Sequence, residues 1–213
     1  PTYPADDDGI VPLTDTEWFD DDAANRVVEF ISVAWDKSHF EANLAFLADN
    51  LSPKKNESRR DTIRRYLCDS FFKDHTQTYK KRPIYWLFSS GKQKAFQCLV
   101  YLHRYNDGTL ARMRNKYVVP LQGILNSRIE QLENDIPAAN SASHRKKLET
   151  ERTRLIKQRE ELQRFDEKLR HYADQRITLD LDDGVKVNYG KFGDLLAEVK
   201  AITGEKPKVE VRA

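Results

Sequence analysis

The sequence predicts an α+β fold: a mostly helical body with short β-hairpins and an inserted long antiparallel helical hairpin of the coiled-coil type. A seven-residue leucine repeat, at 148, 155, 162 and 169, stands among Glu, Lys, Arg and Gln and is typical of a coiled coil. Gly-containing turns on both sides of that region predict hairpins: before it they are flanked by stretches rich in β-branched and aromatic residues, and after it by alternating apolar and polar residues.

The composition indicates that part of the chain is elongated. Of the 213 residues, 39% are hydrophobic and 33% are charged, which is polar for a compact globule of this size. Cys68 and Cys98 have no CxxC partner, so we interpret them as small core residues in a reducing cytoplasm. The apolar runs are too short for a membrane span and no signal peptide is present. We therefore expect a cytoplasmic protein without a membrane partner. The start at Pro1 indicates a fragment of a longer protein.

The N-terminal part reads as a lead-in followed by three helices. Residues 1–13 are rich in Pro and Asp and predict an extended lead-in. Thr14 and Glu17 have capping-box spacing, which predicts a helix start. Apolar residues at helical spacing predict helices around 27–35, 40–51 and 58–72. The outer face of the third helix is expected to carry Arg59, Arg60, Arg64 and Arg65.

Residues 79–105 mix aromatic and basic side chains to an unusual degree, with eight aromatic or His residues and six Lys or Arg. Residues 84–88 and 96–102 flank the turn at 89–92 and predict a β-hairpin, although 96–103 also fits a helix. Two interpretations stay open: a buried aromatic hairpin with a basic rim, and a surface that meets a polyanion.

Residues 109–176 form the predicted insertion. Apolar residues from 110 to 136 give one long amphipathic pattern, which Pro120 should kink or divide. A loop at 137–143 separates it from a second helix of about 33 residues, or about 50 Å. A short loop between two long amphipathic helices predicts an antiparallel pair.

The C-terminal part is expected to rejoin the body. Residues 177–181 and 185–189 alternate around Asp182, Asp183 and Gly184, which predicts a hairpin. A final helix is expected over 194–202. The predicted body is thus 14–108 plus 177–203, with the helical hairpin at 109–176 inserted and a tail at 204–213.

Charge segregation points to a polyanion as ligand. Residues 1–22 contain eight acids and no Lys or Arg, whereas residues 52–116 contain sixteen Lys or Arg and five acids. Basic side chains neutralise phosphates without reading sequence. The competing interpretation is a solvated helix face with a chance excess of charge. The candidate DNA-binding residues are Arg59, Arg60, Arg64, Arg65, Lys80, Lys81, Arg82, His103 and Arg104.

The motifs of common enzymes are missing. The sequence has no Gly-x-Gly-x-x-Gly or Walker loop, and its five histidines lack metal-ligand spacing. We therefore assign no catalytic, cofactor-binding or metal-binding residue.

Three motifs resemble one family: YKKRPIYWLFSS at 79–90, HRY at 103–105 and LDLDDGVKVNY at 179–189. They resemble the C-terminal region of the PglX-type adenine-specific DNA methyltransferases of bacteriophage-exclusion (BREX) defence systems. The resemblance covers nearly the whole chain. It implies methyl transfer from S-adenosylmethionine to adenine N6 in double-stranded DNA. The Asn-Pro-Pro-Tyr-type loop and the glycine-rich cofactor loop of that chemistry do not occur here.

The resemblance therefore implies a non-catalytic module that contacts double-stranded DNA and the catalytic part of its parent. Its partners could include other defence-system proteins. Two alternatives stay open. The chain could be a structural and protein-interaction module of the same enzyme, or the corresponding part of a fused methyltransferase–restriction endonuclease.

Overall fold

The computed structural model describes residues 3–4 and 8–207, and the chain divides into two compact units. Unit 1 contains Pro1–Phe88, Gln97–Tyr105 and Asp180–Ala213, and unit 2 contains Ser89–Phe96 and Asn106–Leu179. The predicted α+β class is confirmed, because helices predominate beside a small three-stranded antiparallel sheet. Residues 1–2 and 5–7 of the predicted lead-in and 208–213 of the predicted tail lie outside the described residues.

Four helices build the N-terminal half of unit 1. They are α1 (Ala23–Ala34), α2 (Phe40–Asp49), α3 (Arg59–Asp69) and α4 (Phe71–Thr78). One apolar cluster joins the first three, with Val28 and Ile31 of α1, Leu44 of α2 and Ile63 of α3 buried. Burial of one apolar stripe stabilises each helix far more than its intrinsic propensity does. The helices predicted around 27–35 and 40–51 are confirmed.

Two helix boundaries differ from the prediction. Thr14 does not start a helix: its hydroxyl donates to the Thr16 carbonyl, and α1 begins at Ala23 with Asp22 as N-cap. The Asp22 carboxylate accepts from the Asn25 amide, which satisfies a donor that the helix itself leaves open. The single helix predicted over 58–72 is also divided, because α3 ends at Asp69 and α4 begins at Phe71.

The sheet of unit 1 contains β1 (Ile10–Pro12), β2 (Tyr85–Ser89) and β3 (Gln97–Tyr101), in the order β1-β3-β2. β1 pairs with β3 in antiparallel register, with Ile10 opposite Val100 and Pro12 opposite Cys98. A proline is tolerated there because β1 is an edge strand. The strands predicted on either side of the 89–92 turn are confirmed, whereas β1 was not foreseen. Neither cysteine forms a disulfide within the described residues, and Cys98 is buried.

The hairpin predicted over 177–189 is wrong. Residues 181–183 form a 3-10 turn and α8 (Gly184–Gly190) follows it. The Asn188 amide group donates to the carbonyls of Asp180 and Gly184, while its oxygen accepts from the Asp180 amide. Asn188 and Tyr189 are both buried and Val187 is exposed, which is helical rather than alternating burial. Hydrogen bonds between the Asn188 side chain and the backbone therefore outweigh the strand pattern.

The final helix is shorter than predicted. Gly193–Leu195 is a 3-10 turn, Leu196 then forms a bridge to Phe88, and α9 (Val199–Thr203) begins only after it. Tyr189 and Phe192 meet Trp86 of β2 edge-to-face, at centroid distances of 5.1 and 5.7 Å. Aromatic pairs in this arrangement add stability beyond the area that they bury. This ring cluster anchors the C-terminal segment on the sheet.

Unit 2 contains a pair of long helices. They are preceded by α5 (Thr109–Met113) and a π-helix, Arg114–Val118, and comprise α6 (Val119–Asp135) and α7 (Ala142–Asp174). Pro120 lies in the first turn of α6, directly after the π-helix, and the interruption predicted near it takes the form of that π-helix. Leu155, Leu162 and Leu169 are buried along α7. The heptad spacing still predicts supercoiling, which stays a prediction.

A buried carboxylate of α7 closes the loop at residues 90–95 within unit 2. Glu161 accepts hydrogen bonds from the Ser90 hydroxyl at 2.7 Å and from the amides of Gln93 and Ala95 at 2.7 and 3.2 Å. Gly91 has φ +136°, and a Cβ there would lie 3.0 Å from Glu161 Oε2. Glycine is therefore required at this position, both by the backbone conformation and by the close approach of the carboxylate.

Candidate nucleic-acid interface

The four candidate arginines of α3 serve different purposes. The helix starts at Ser58, whose hydroxyl accepts from the Asp61 amide. Arg59 makes an exposed ion pair with Glu41 at 2.9 Å. Arg60 is exposed and has no ion-pair partner among the residues that the structure describes. These two side chains are open to a ligand, since an exposed pair is easily exchanged for another anion.

Arg64 ties α3 to the start of α1. Its guanidinium donates to the Thr14 carbonyl at 3.1 Å and forms a short ion pair with Asp22. Asp22 is fully buried and also caps α1, so its charge is held by a cation and by a backbone amide together. Removing either partner would leave an uncompensated charge. Arg64 is therefore engaged within the fold.

Arg65 is engaged in the same way by Glu57. Its guanidinium donates to both carboxylate oxygens, at 2.7 and 3.0 Å, and to the Ser52 carbonyl at 2.9 Å. The hydrogen bond from Arg65 lowers the pKa of Glu57 to about 2, and the bond from the Lys54 amide adds to this. A two-pronged Arg–carboxylate pair has fixed geometry, so this pair holds the loop before α3 in place.

Lys80, Lys81 and Arg82 form the clearest basic site of unit 1. All three side chains are exposed, and none has an ion-pair partner among residues 3–4 and 8–207. They follow α4 directly, and the amides of Lys80 and Lys81 close that helix by donating to the carbonyls of Gln77 and Thr76. The sequence predicted this cluster as a site, and the fold leaves its charges available.

The backbone at this site is strained. Lys80 has φ +50° and Lys81 has φ +62°, both in the left-handed region. Helix ends commonly use glycine in that conformation, since a Cβ costs roughly 1–2 kcal/mol for each residue. Two successive lysines in this conformation therefore destabilise the end of the helix relative to glycine. Strain of this kind tends to occur where function requires it.

A row of aromatic rings runs from Tyr79 to His103. The ring of His75 lies 4.6 Å from that of Tyr79 and 5.6 Å from that of Tyr85. Tyr101 continues the row at 5.2 Å from Tyr85 and contacts His103 at 5.3 Å. Tyr79 and His103, at the two ends of the row, are exposed. Through the rings between them, the row connects the candidate His103 to Tyr79, which directly precedes Lys80.

His75 links α4 to the start of β2 as a neutral acceptor. Its Nε2 accepts from the amides of Ile84 and Tyr85, each at 3.2 Å. Burial lowers the pKa of His75, because the charged ring would lose its hydration. Protonation of Nε2 would also remove the acceptor that holds both amides. The ring therefore fixes the segment that carries Lys80–Arg82 only while it is neutral.

Arg104 follows the C-terminal end of β3, next to His103. Residues 102–104 form a 3-10 turn, and a Cβ at Gly9 would lie 2.8 Å from the Arg104 Cβ. Gly9 has φ +72°, so glycine is needed here to let the lead-in pass beside this side chain. The Arg104 side chain is exposed.

Sequence reasoning did not identify Lys186. This side chain is exposed on α8 and lines the same groove as Lys80, Lys81 and Arg82. The alternating pattern around Gly184 predicted a strand of a separate hairpin. Nothing in that prediction brought Lys186 close to the basic triplet. The hydrogen bonds of Asn188 to the backbone of Asp180 and Gly184, which favour the helix, become visible only in the fold.

Two absences concern the described part of the chain only. Residues 3–4 and 8–207 contain no group of three or more His, Cys, Asp or Glu side chains arranged to hold a metal ion. Within the same ranges, no helix combines the length and apolar character that crossing a bilayer requires.

Two curated proteins resemble the chain along most of its length. It is 58% identical over 212 residues to the adenine-specific methyltransferase BrxX of Escherichia coli O9:H4 (strain HS), covering 97% of this chain and 18% of that protein. It is 41% identical over 193 residues to the adenine-specific methyltransferase PglX of Lacticaseibacillus casei (strain Zhang), covering 89% of this chain and 16% of that protein. No family model matches the sequence.

Proposed function

The chain corresponds to a segment of the PglX-type adenine-specific methyltransferases, and from that premise we propose that it is the C-terminal, DNA-contacting and non-catalytic module of such an enzyme. The parent would methylate adenine N6 in double-stranded DNA as part of phage defence. The chain spans less than a fifth of each relative, so the parent's activity is part of this proposal.

One observation carries the proposal. Lys80, Lys81 and Arg82 stand together with exposed charges that the described fold does not neutralise, and the backbone of the two lysines is strained. Arg64 and Arg65 of the same unit are paired with acids, so the triplet differs from them in keeping its charges unpaired among the described residues. An unpaired basic cluster binds phosphates by releasing their counterions. Such contacts position a protein on DNA without reading bases.

The cofactor of the proposed reaction, S-adenosylmethionine, is assigned to another part of the parent. The chain contains neither the glycine-rich loop nor the Asn-Pro-Pro-Tyr-type loop that the resemblance implies. We therefore place no residue of this chain against the cofactor. Calorimetry with S-adenosylmethionine is expected to show no micromolar binding by the 213-residue chain, and such binding would contradict this assignment.

The proposal is tested by DNA binding as a function of salt. Fluorescence anisotropy with a short labelled duplex should show an affinity that falls steeply as the salt concentration rises. The variant K80A/K81A/R82A should weaken binding to all sequences alike and flatten the slope of log K against log salt by roughly 2–3.

The matched control is K54A/K55A/K200A, which removes three exposed lysines of the same unit from outside the cluster. It removes the same charge and should reduce affinity much less. Equal losses in the two variants, at unchanged Tm, would show that only net charge matters. Absence of DNA binding by the wild-type chain would reject the proposal.

Exposed aromatic side chains favour a second candidate, an interaction module of the same enzyme. Phe30 is 44% exposed, Trp35 is 54% exposed and Phe46 is 74% exposed. Large exposed apolar side chains often mark protein contacts. If this role is the main one, the variant W35S/F46S should abolish binding to the separately expressed remainder of the parent. K80A/K81A/R82A should then leave DNA methylation by the full enzyme unchanged.

A further inference from the structure

A groove of about 680 Å³ in unit 1 brings the basic triplet together with Lys186. It is lined by Lys80, Lys81 and Arg82, and by residues 183–187 and Ile202 from the C-terminal part of the chain. We propose that this groove binds the sugar–phosphate backbone of one DNA strand and that Lys186 is one of its phosphate ligands. This inference rests on the proposed DNA-contacting function and names the place where the contact is made.

The cations of the groove come from two segments that only the fold unites. The triplet follows the C-cap of α4, whereas Lys186 belongs to α8, which comes after the whole of unit 2 in sequence. Lys186 is exposed and has no ion-pair partner in the described ranges. The acid at the rim, Asp183, lies 3.4 Å from Lys191 and is thereby partly neutralised. Four cations therefore face one groove with little internal compensation.

The remaining lining is small and apolar. Gly184, Val185, Val187 and Ile202 contribute to it, and Val187 is 54% exposed although it is a large hydrophobic residue. A Cβ built on Gly184 would have no neighbour within 4 Å, so the groove is open at that point. Phosphates need cations and a deoxyribose ring needs apolar contact, and the groove offers both. A free phosphate ion would use only the first.

A neighbouring groove continues the path. It has a volume of about 530 Å³ and shares Lys186 and Val187 with the first. It adds Lys191 and Lys206 to the lining, together with one acid, Glu205. Lys186 and Val187 thus belong to both grooves. This continuity fits an extended strand that contacts several phosphates in succession, rather than a single small anion.

The strained lysines also support the inference. Glycine at 80 or 81 would end α4 without steric cost, but it would remove a cation from the groove. Lysine at both positions keeps the cations at the expense of stability. A phosphate site gains from this exchange, because it needs the cations.

The first test compares single variants of the 213-residue chain by anisotropy with a labelled DNA duplex. K186A should weaken binding about five-fold and flatten the salt slope by about 0.9, the value for one lost phosphate contact. K200A, an exposed lysine of α9 outside both grooves, is the matched control and should change neither quantity. V187S should weaken binding two- to three-fold without changing the slope, because it removes no charge.

The second test uses K80G/K81G, which removes both cations and relieves the strain. Its Tm should rise by about 4 °C while its affinity for DNA falls, since stability and binding oppose each other at this site. N56G, at another left-handed residue with φ +65°, should raise Tm and leave binding unchanged. Heparin in place of DNA should lose affinity with K186A but not with V187S.

The outcomes separate the two proposals. If the wild-type chain binds no DNA, both fall. If it binds DNA with a steep salt dependence but K186A behaves as K200A does, the groove is rejected and the DNA-contacting function stands. If K80G/K81G gains stability at full affinity, the lysines are a helix end only, and the groove is again rejected.

Discussion

The two units bury a carboxylate by different means. In unit 1 the buried Asp22 is held by the side chain of Arg64 together with a helix-capping amide. In unit 2 the buried Glu161 accepts from two loop amides and a hydroxyl. A cation brought in from another helix fixes how two elements pack. Backbone donors instead fix the shape of one loop.

The same contrast holds for the basic residues. Unit 2 uses its arginines to join elements: Arg114 pairs with Asp166, Arg128 with Glu151 and Arg152 with Glu133. Unit 1 pairs Arg64 and Arg65 but leaves Lys80, Lys81 and Arg82 without ion pairs in its described part. The charges that a fold leaves without ion pairs are therefore better guides to function than a count of charges, because a count does not separate them from residues such as Arg64 and Arg65 that hold the structure together.

The largest effect is expected from Asp22→Ala. The substitution removes the N-cap of α1 and leaves Arg64 half-buried without its main partner, so the free energy of unfolding should fall by about 3 kcal/mol. Urea denaturation measures it. The exposed Asp20→Ala serves as control and should cost almost nothing. Equal stability of the two variants would show that the buried pair contributes no more than a surface charge.

Glu161→Ala should cost less, about 2 kcal/mol, because loop amides can turn to water once the carboxylate is gone. Amide hydrogen exchange should accelerate at Gln93 and Ala95, which lose their acceptor. Glu160→Ala, one residue away and exposed, should leave exchange unchanged. Protection that persists at both amides in Glu161→Ala would mean that the loop holds its shape without α7.

Acidification should destabilise unit 1 through His75. Burial lowers the pKa of this imidazole in the folded state, so its contribution is complete above the ordinary value of 6.5 and is lost as the pH falls below it. The rings packed around it are those of Phe71, Phe72, Tyr79 and Tyr85. Thermal unfolding between pH 7.5 and 5.5 should show a falling Tm.

His75→Gln keeps an acceptor oxygen but does not titrate, so its Tm should depend less on pH than that of the wild type. His39→Gln, at an exposed position, should retain the wild-type dependence. If the two variants follow the same curve, other groups cause the acid sensitivity.

The smallest effect is expected at the surface pair of unit 2. Arg152 and Glu133 lie 2.6 Å apart with side chains 38% and 50% exposed, so Arg152→Ala should cost no more than about 0.5 kcal/mol. The loss should shrink further at high salt. A salt-independent cost above 1 kcal/mol would show that this pair resembles Asp22–Arg64 rather than a solvated contact.

The features that the sequence predicted correctly are those set by residues close together in the chain. The leucine repeat predicted a long helix, and α7 spans 33 residues as a single element. The strands around the 89–92 turn were predicted because their apolar runs and turn residues are local. The basic triplet was found because it is contiguous. These signals need no knowledge of distant partners.

What stayed hidden depends on distant or competing partners. The short β1 is stabilised by pairing with β3, far along the chain. The alternation at 177–189 predicted strands, but hydrogen bonds of Asn188 to the backbone and burial of Tyr189 against Trp86 favour a helix. Arg64 of α3 pairs with Asp22, 42 residues earlier in the chain, and no local pattern distinguishes it from Arg60, which has no ion-pair partner among the described residues. The DNA-binding role of the nine candidate residues stays a prediction.

The ring cluster of unit 1 has a consequence for synthesis of the chain. Trp86 and Phe88 contact Tyr189 and Phe192, which lie beyond α7 in sequence. On the ribosome, the strand that carries Trp86 and Phe88 emerges before its partners exist, and all of the second unit is translated in between. During that interval both rings are open to chaperones and to misassociation. The first unit to begin is thus the last to be completed.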